Sequence, residues 1–230
     1  MLKSALFYHP LFLEHLTGFG HPEKPERLIA ILDCLKGKEI FSEVKLLEPE
    51  PAYFEELSKV HPAYYLNYLE ERVEEGGYLD ADTVVSLKSF RVACLAAGAV
   101  IRAIDKILDG EIKNAFCLVR PPGHHALSEQ AMGFCLLNNL AVGARYALEE
   151  RNSKKILIFD WDAHHGNGLQ DIFYADSSVL YISLHQMPLY PGTGHFDEVG
   201  EGKGKGFTVN VPLPAGSGDN LYIYILKELI

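Results

Sequence analysis

The sequence predicts an α/β fold, a three-layer α/β/α arrangement around a mainly parallel sheet. Two observations predict it. Short apolar runs alternate along the chain with longer segments of helical period, which is how parallel strands joined by helical crossovers read. The run Ile156-Leu157-Ile158-Phe159 is apolar without a break, as expected of a strand covered on both faces. A length of 230 residues with 48% hydrophobic and 23% charged side chains is ordinary globular composition. A single domain over 1–230 is expected.

Strands are predicted at 4–8, 114–119, 155–160, 179–184 and 207–211, and helices at 23–36, 62–75, 89–108, 136–151, 168–174 and 219–230. Pro25 sits near the start of the first helix, where a missing N–H matters little. Gly76-Gly77 and Asp109-Gly110 stop the second and third. The last helix carries Leu221, Ile223, Ile225, Leu226 and Leu229 and reaches the chain end without a stop signal. The alternation ceases there, so the chain is expected to be incomplete at its C-terminus.

Several function classes are disfavoured. No apolar run is long enough for a transmembrane helix, and the N-terminus, broken by His9, Pro10 and Glu14, does not read as a signal peptide. A net charge of −10 argues against nucleic-acid binding. Cys34, Cys94, Cys117 and Cys135 form no CxxC pair and sit among apolar residues. Buried, reduced thiols in a cytoplasmic protein are expected.

Chemistry concentrates in loops that follow apolar strands. Parallel strands bring such loops to one rim. The second of these loops is Asp160-Trp161-Asp162-Ala163-His164-His165-Gly166-Asn167-Gly168. In extended chain alternate residues share a side, so Asp160, Asp162 and His164 are expected to point together. Asp162 and His164 then form a carboxylate–imidazole pair suited to Zn²⁺, Fe²⁺ or Mn²⁺. A tight site needs a third ligand from elsewhere and, for catalysis, an open position for water. Asp160 is placed to orient a histidine of another loop. A solvated polar strand end is the bland alternative, and the density of the cluster argues against it.

The first loop is Arg120-Pro121-Pro122-Gly123-His124-His125. Imidazole titrates near neutral pH, so adjacent histidines on a rigid turn suit proton transfer to and from a metal-activated water. An exposed surface loop is the competing reading.

The segments RPPGHHA, GFCLLNN, DWDAHHGNG, SLHQ and YPGTG, in this order, resemble the zinc-dependent histone deacetylase family, which includes acetoin-utilisation proteins and acetylpolyamine amidohydrolases. HPEKPERL resembles the bacterial and class II branches. The resemblance runs from about Tyr8 to the chain end and implies an arginase/deacetylase-like fold. By the resemblance, Asp162 and His164 are two of three zinc ligands, with Fe²⁺ an alternative metal. His124 and His125 are the catalytic pair, His125 the general base and acid and His124 its electrostatic helper. Asp160 hydrogen-bonds His124, and Asn167 partners the second histidine. Gly133, Phe134 and Tyr190 line an acyl-lysine tunnel. Asp160, Asp162, His164, Ser183 and Leu184 hold a structural K⁺. The implied substrates are acetylated lysine, an acetylated polyamine or a small acetylated amine.

The family's third zinc ligand and its transition-state tyrosine have no match in context after Asp162; Asp197 and Asp219 both precede the expected strand. A non-catalytic metal- or acyl-binding relative is therefore the alternative function. An arginase-type ureohydrolase is disfavoured, because Asp162-Ala163-His164-His165 is followed by Gly166 where a second metal needs a carboxylate. The segment Gly200-Glu201-Gly202-Lys203-Gly204-Lys205-Gly206 lacks the ending of a phosphate loop, and a flexible hairpin-like loop is expected. Small residues on helix 89–108 are read as close packing. His9, His15, His21, His61, His185 and His195 are read as structural or surface residues, with His21 and Arg27 shaping an N-terminal rim. Asp80 and Asp82 are candidates for contact with a substrate backbone or amine.

Overall fold

A computed structural model describes residues 4–229; the last residue of the predicted C-terminal helix, Ile230, lies outside them. The chain forms two compact units, 1–153 and 154–230.

In the first unit, strand β1 (Ala5–Phe7) is flanked by β2 (Lys45–Leu47) and β5 (Ala115–Cys117), both parallel to it. Ala5, Leu6 and Phe7 are all buried although neighbours in a strand point to opposite faces. The sheet is therefore covered on both sides. The cover comes from helices α1 (Glu26–Lys36) and α5 (Ser89–Leu108), which give Leu28, Leu32, Val92, Leu95, Ala96 and Ala99 to the same core as Phe12 and Leu118. Also present are α2 (Ile40–Glu43), α3 (Phe54–Leu57), α4 (Ala63–Glu75), α6 (Asn139–Glu149) and an antiparallel pair, β3 (Gly77–Tyr78) with β4 (Val84–Val85).

In the second unit, β6 (Ile156–Asp160), β7 (Val179–Gln186) and β8 (Thr208–Leu213) form a parallel sheet with β7 central. Helix α7 (Asn167–Phe173) connects β6 to β7, and α8 (Asp219–Leu229) brings Leu221, Tyr222 and Ile225 against Ile182, Leu184 and Leu213.

The predicted strands and long helices are present, with ends shifted by a few residues. Three expectations are corrected. Among the described residues β6 pairs only with β7, and Leu157 is 52% exposed, so the apolar run is not covered on both faces. Cys34 is exposed on α1, while no cysteine is bridged. The glycine-rich loop holds a 3₁₀ turn (Gly202–Gly204) with Gly204 buried, where an added Cβ would lie 2.4 Å from the Tyr174 carbonyl oxygen; it is a packed turn, not a loose hairpin. The short elements β2 to β4, α2 and α3 are too brief to show a period. Among the described residues no helix is long and apolar enough to cross a membrane.

The small face of α5 has a definite partner. A Cβ on Gly98 would stand 2.0 Å from the Glu50 carbonyl oxygen and 2.6 Å from the Ala52 nitrogen. The Ala52 N–H in turn donates to the Cys94 carbonyl at 2.9 Å. Gly98→Ala would gain about 1 kcal/mol of helix propensity, but it forces two backbones apart, which costs more. We expect a net loss of about 1–2 kcal/mol, read as a lower urea midpoint; unchanged or higher stability would refute the close contact.

Candidate active site

The His124-His125 loop is anchored at its root. Arg120 is fully buried. Its Nε donates to Glu23 Oε1 at 2.5 Å and its Nη2 to Glu23 Oε2 at 2.7 Å. Nη1 donates to the Phe12 carbonyl and Nη2 also to that of His15, both at 2.9 Å. The HPEKPERL segment thus supplies the counter-ion for the strand end that launches the loop. The sequence reading assigned Arg120 no role; an arginine ending an apolar strand was the available signal.

Further along, a Cβ on Gly123 would lie 2.6 Å from the Asn139 nitrogen, so the turn rests against the start of α6. Asn139 Nδ2 donates to the Pro121 carbonyl at 3.2 Å. Asn138 Nδ2 donates to the Ala126 carbonyl at 2.9 Å, and its Oδ1 caps α6 by accepting the Ala141 N–H. The two asparagines of GFCLLNN therefore staple the histidine loop to a helix N-terminus.

The rings of His124 and His125 lie 4.0 Å apart between centroids, inclined at 49°. His125 is buried and His124 half-buried. Gly133 lies directly against His125: at φ +56°, its missing Cβ would come within 2.4 Å of the ring. Phe134 also has a positive φ, 68°. Its N–H donates to Thr83 Oγ1 at 3.1 Å, and its ring meets His21 edge-on.

The Asp160–His165 loop belongs to the second unit. It is not extended, which corrects the alternation argument. Asp160 Oδ1 accepts the Asp162 N–H at 3.1 Å, and Asp162 Oδ1 accepts the His164 N–H at 2.8 Å. Two successive turns of this kind curl the chain. They still bring Asp162 Oδ1 and His164 Nδ1 together, at 3.1 Å. With Zn–O and Zn–N bonds of about 2.0–2.1 Å, two tetrahedral ligand atoms stand roughly 3.3 Å apart, so the pair fits a shared ion. Both side chains are exposed. Among the described residues no group of three His, Cys, Asp or Glu side chains converges on a metal position. Asp160 Oδ2 accepts from the Tyr181 hydroxyl at 3.3 Å.

Strand register sets Asp160 beside Ser183, with Leu184 next in line. Ser183 Oγ and His185 Nδ1 are 2.9 Å apart, and His185 Nε2 donates to the Gly194 carbonyl. A Cβ on Gly194 would come within 2.6 Å of both the His165 and His185 rings. His165 Nε2 donates to Gln170 Oε1 at 3.1 Å, leaving Nδ1 to accept from Thr193 Oγ1 at 2.8 Å. Burial pushes the His165 imidazole down to about 4. The YPGTG loop is thereby packed onto two neutral rings, with Tyr190 set edge-on to His164 at 6.2 Å. Asn167 opens α7, its N–H donating to the His165 carbonyl. The sequence assigns Tyr181 and Gln170 no role, since neither lies in a quoted motif; His165 belongs to the DWDAHHGNG cluster but has no partner assigned to it.

The Asp80 carboxylate is tied into its own loop. Its Oδ1 accepts the N–H groups of Asp82 and Thr83 at 3.0 and 2.6 Å and closes a turn.

Two predictions follow from the first unit. Glu23→Gln keeps the shape but leaves the Arg120 charge buried without its counter-ion, a loss of about 3–5 kcal/mol in denaturant unfolding; a loss under about 1 kcal/mol would show that the pair does not anchor the loop. His61 Nδ1 donates to the Ser128 carbonyl and Nε2 accepts the Asn138 N–H, so only the neutral ring fits. Burial lowers its pKa to about 4. The unfolded chain, with an ordinary value near 6.5, takes up the proton first, so the contribution of His61 to stability is constant above about pH 6.5 and falls between there and pH 4 by up to about 3 kcal/mol. His61→Gln should flatten the change in urea midpoint between pH 7 and 4.5; an unaltered profile would exclude His61 as a source.

Comparison with known proteins shows the family. Residues 21–230 match the histone deacetylase domain. A probable deacetylase of Archaeoglobus fulgidus is 46% identical over the whole chain and 64% of its own length. A histone deacetylase-like amidohydrolase of Pseudomonas aeruginosa is 39% identical over 99% of the chain and 65% of its own. Among solved structures, the HDA15 HD domain superposes with a TM-score of 0.94 at 40% identity, over 99% of this chain and 67% of that one; this match shows the predicted three-layer α/β/α fold class. The chain spans about two thirds of the length of these curated relatives. It belongs to the histone deacetylase family.

Proposed function

We propose that this polypeptide supplies the acyl-binding and proton-transfer part of a zinc-dependent amidohydrolase that removes acetyl groups from lysine or polyamine chains. The observation that carries this reading is the convergence of Asp162 Oδ1 and His164 Nδ1, a carboxylate–imidazole pair at the spacing of a shared ion. Both units belong to one deacetylase-like domain in this reading, and the third ligand comes from outside the described residues. The pair also suits Fe²⁺. When bound, the metal polarises the acyl carbonyl and acidifies a water.

The chain's own residues do the rest. Gly133, Phe134 and Tyr190 grip the aliphatic stem between aromatic faces. His125, buried beneath Gly133, takes a proton from the water as its oxygen bonds to the acyl carbon. It returns that proton to the amine nitrogen as the C–N bond breaks, releasing acetate and the free amine. His124, ring to ring with His125, adjusts the charge on its neighbour. Asp160 orients His124 and Asn167 partners His125. The backbone of Ser183 and Leu184, with Asp160, Asp162 and His164, holds K⁺ and stiffens the ligand loop. The four unbridged cysteines support a cytoplasmic, reducing setting.

The test is metal analysis and an acetate-release assay on the protein, with an acetyl-lysine peptide and an acetylated polyamine as substrates. Stoichiometric zinc or iron is expected, and His125→Ala should lower kcat by about 10²–10⁴-fold. Absence of both metals, or full activity in the variant, would overturn the reading; bound metal with no acetate release would favour a non-catalytic binder.

A further inference from the structure

We propose that His21 is a positioning residue that sets the stance of the Phe134 ring and so tunes how tightly an acylated chain is gripped. The proposal rests on the reading above, in which Phe134 lines the substrate channel.

Phe134 occupies the left-handed backbone region, φ +68°, which a bulky L-residue holds only when its surroundings impose it. Three contacts do so. Its N–H is taken by Thr83 Oγ1 at 3.1 Å. The preceding Gly133 abuts the His125 ring, which a Cβ there would meet at 2.4 Å. The His21 ring stands edge-on to the Phe134 ring, 4.8 Å between centroids and at 71°, the favoured arrangement for an aromatic pair.

His21 is itself pinned at both nitrogens. Nδ1 sits 2.9 Å from the Glu23 carbonyl oxygen and 3.1 Å from the Glu23 nitrogen, and Nε2 donates to the Asp82 carbonyl at 3.0 Å. Asp82 and Thr83 share one turn, closed by the Asp80 carboxylate. A single turn therefore holds the Phe134 backbone through Thr83 and its ring through His21. Removing the His21 ring releases the Phe134 ring while leaving its backbone held. A grip on the stem lies away from the reacting amide and is felt equally in the bound substrate and the transition state. Its loss should raise KM and spare kcat.

The experiment compares wild type, His21→Ala and His21→Gln, each with 4-fluorophenylalanine at position 134. The glutamine retains an amide donor for the Asp82 carbonyl but no ring, so it guards against a folding defect in the alanine variant. Both variants are expected to move the ¹⁹F resonance and to raise KM for the acetyl-lysine peptide about 3–10-fold with kcat within about twofold. A resonance left in place by both, or a fall in kcat at constant KM, would overturn the proposal. If the wild type releases no acetate, the catalytic reading fails, and the ¹⁹F comparison still decides whether His21 positions Phe134.

Discussion

The first unit depends on one buried ion pair. Arg120 and Glu23 are both removed from water, a step that costs several kcal/mol for each ion unless geometry repays it. Here the geometry is favourable: the guanidinium makes a two-point contact with the carboxylate and gives two further N–H groups to the carbonyls of Phe12 and His15. Thr17 Oγ1 donates to the Glu23 carbonyl at 2.5 Å, fixing the backbone from which the carboxylate projects. Such a pair adds little net stability over an apolar one, but a shift that parted it would leave both charges buried and unpaired. It ties the N-terminal segment to the strand end that carries Pro121 to His125.

From that anchor outward, the site is shaped by side chains that are absent. Gly123 backs onto the nitrogen of Asn139, Gly133 onto the His125 ring and Gly194 onto the rings of His165 and His185. In each case a methyl group would stand within 2.6 Å of an atom with little room to move. The motifs RPPG, GF and PGTG thus mark surfaces where one segment lies directly on another. The histidines beneath are held by contact as well as by hydrogen bonds, which narrows their orientations without further polar groups in the site.

Motif order made the site legible early, and local geometry did not. The residues of the two loops were identified as a cluster because histidine and aspartate are seldom spent so densely after apolar strands. The route by which Asp162 meets His164 was misread: a straight chain would align them by alternation, whereas the observed loop curls through two backbone-to-carboxylate hydrogen bonds. Aspartate is the residue that forms such turns, so the same side chains that propose a ligand set also bend the chain. Period-based reading found α5 to the residue and missed β3 and β4, which are two residues each. Arg120 and Tyr181 carry no assigned role in the sequence because their partners are distant, and a lone polar residue in an apolar run gives no hint of what will satisfy it; His61, read as structural or surface, proves structural, with both ring nitrogens engaged.

The continuous apolar run of β6 shows where composition and structure part. Its sequence is that of an interior parallel strand, yet Leu157 faces solvent and, among the described residues, β7 is the strand paired with it. β7 shows the contrast within the same sheet: flanked on both edges, it buries Tyr181, Ile182, Ser183, Leu184 and His185 in succession. Polar side chains survive there because each finds a partner along its own strand or in the next loop, Ser183 with His185 and His185 with Gly194. Burial in this fold is therefore decided by strand position and not by the apolarity of the strand itself. The chemistry-bearing loop begins where β6 ends, so the surroundings of Asp160, Asp162 and His164 are governed by what lies beside that strand.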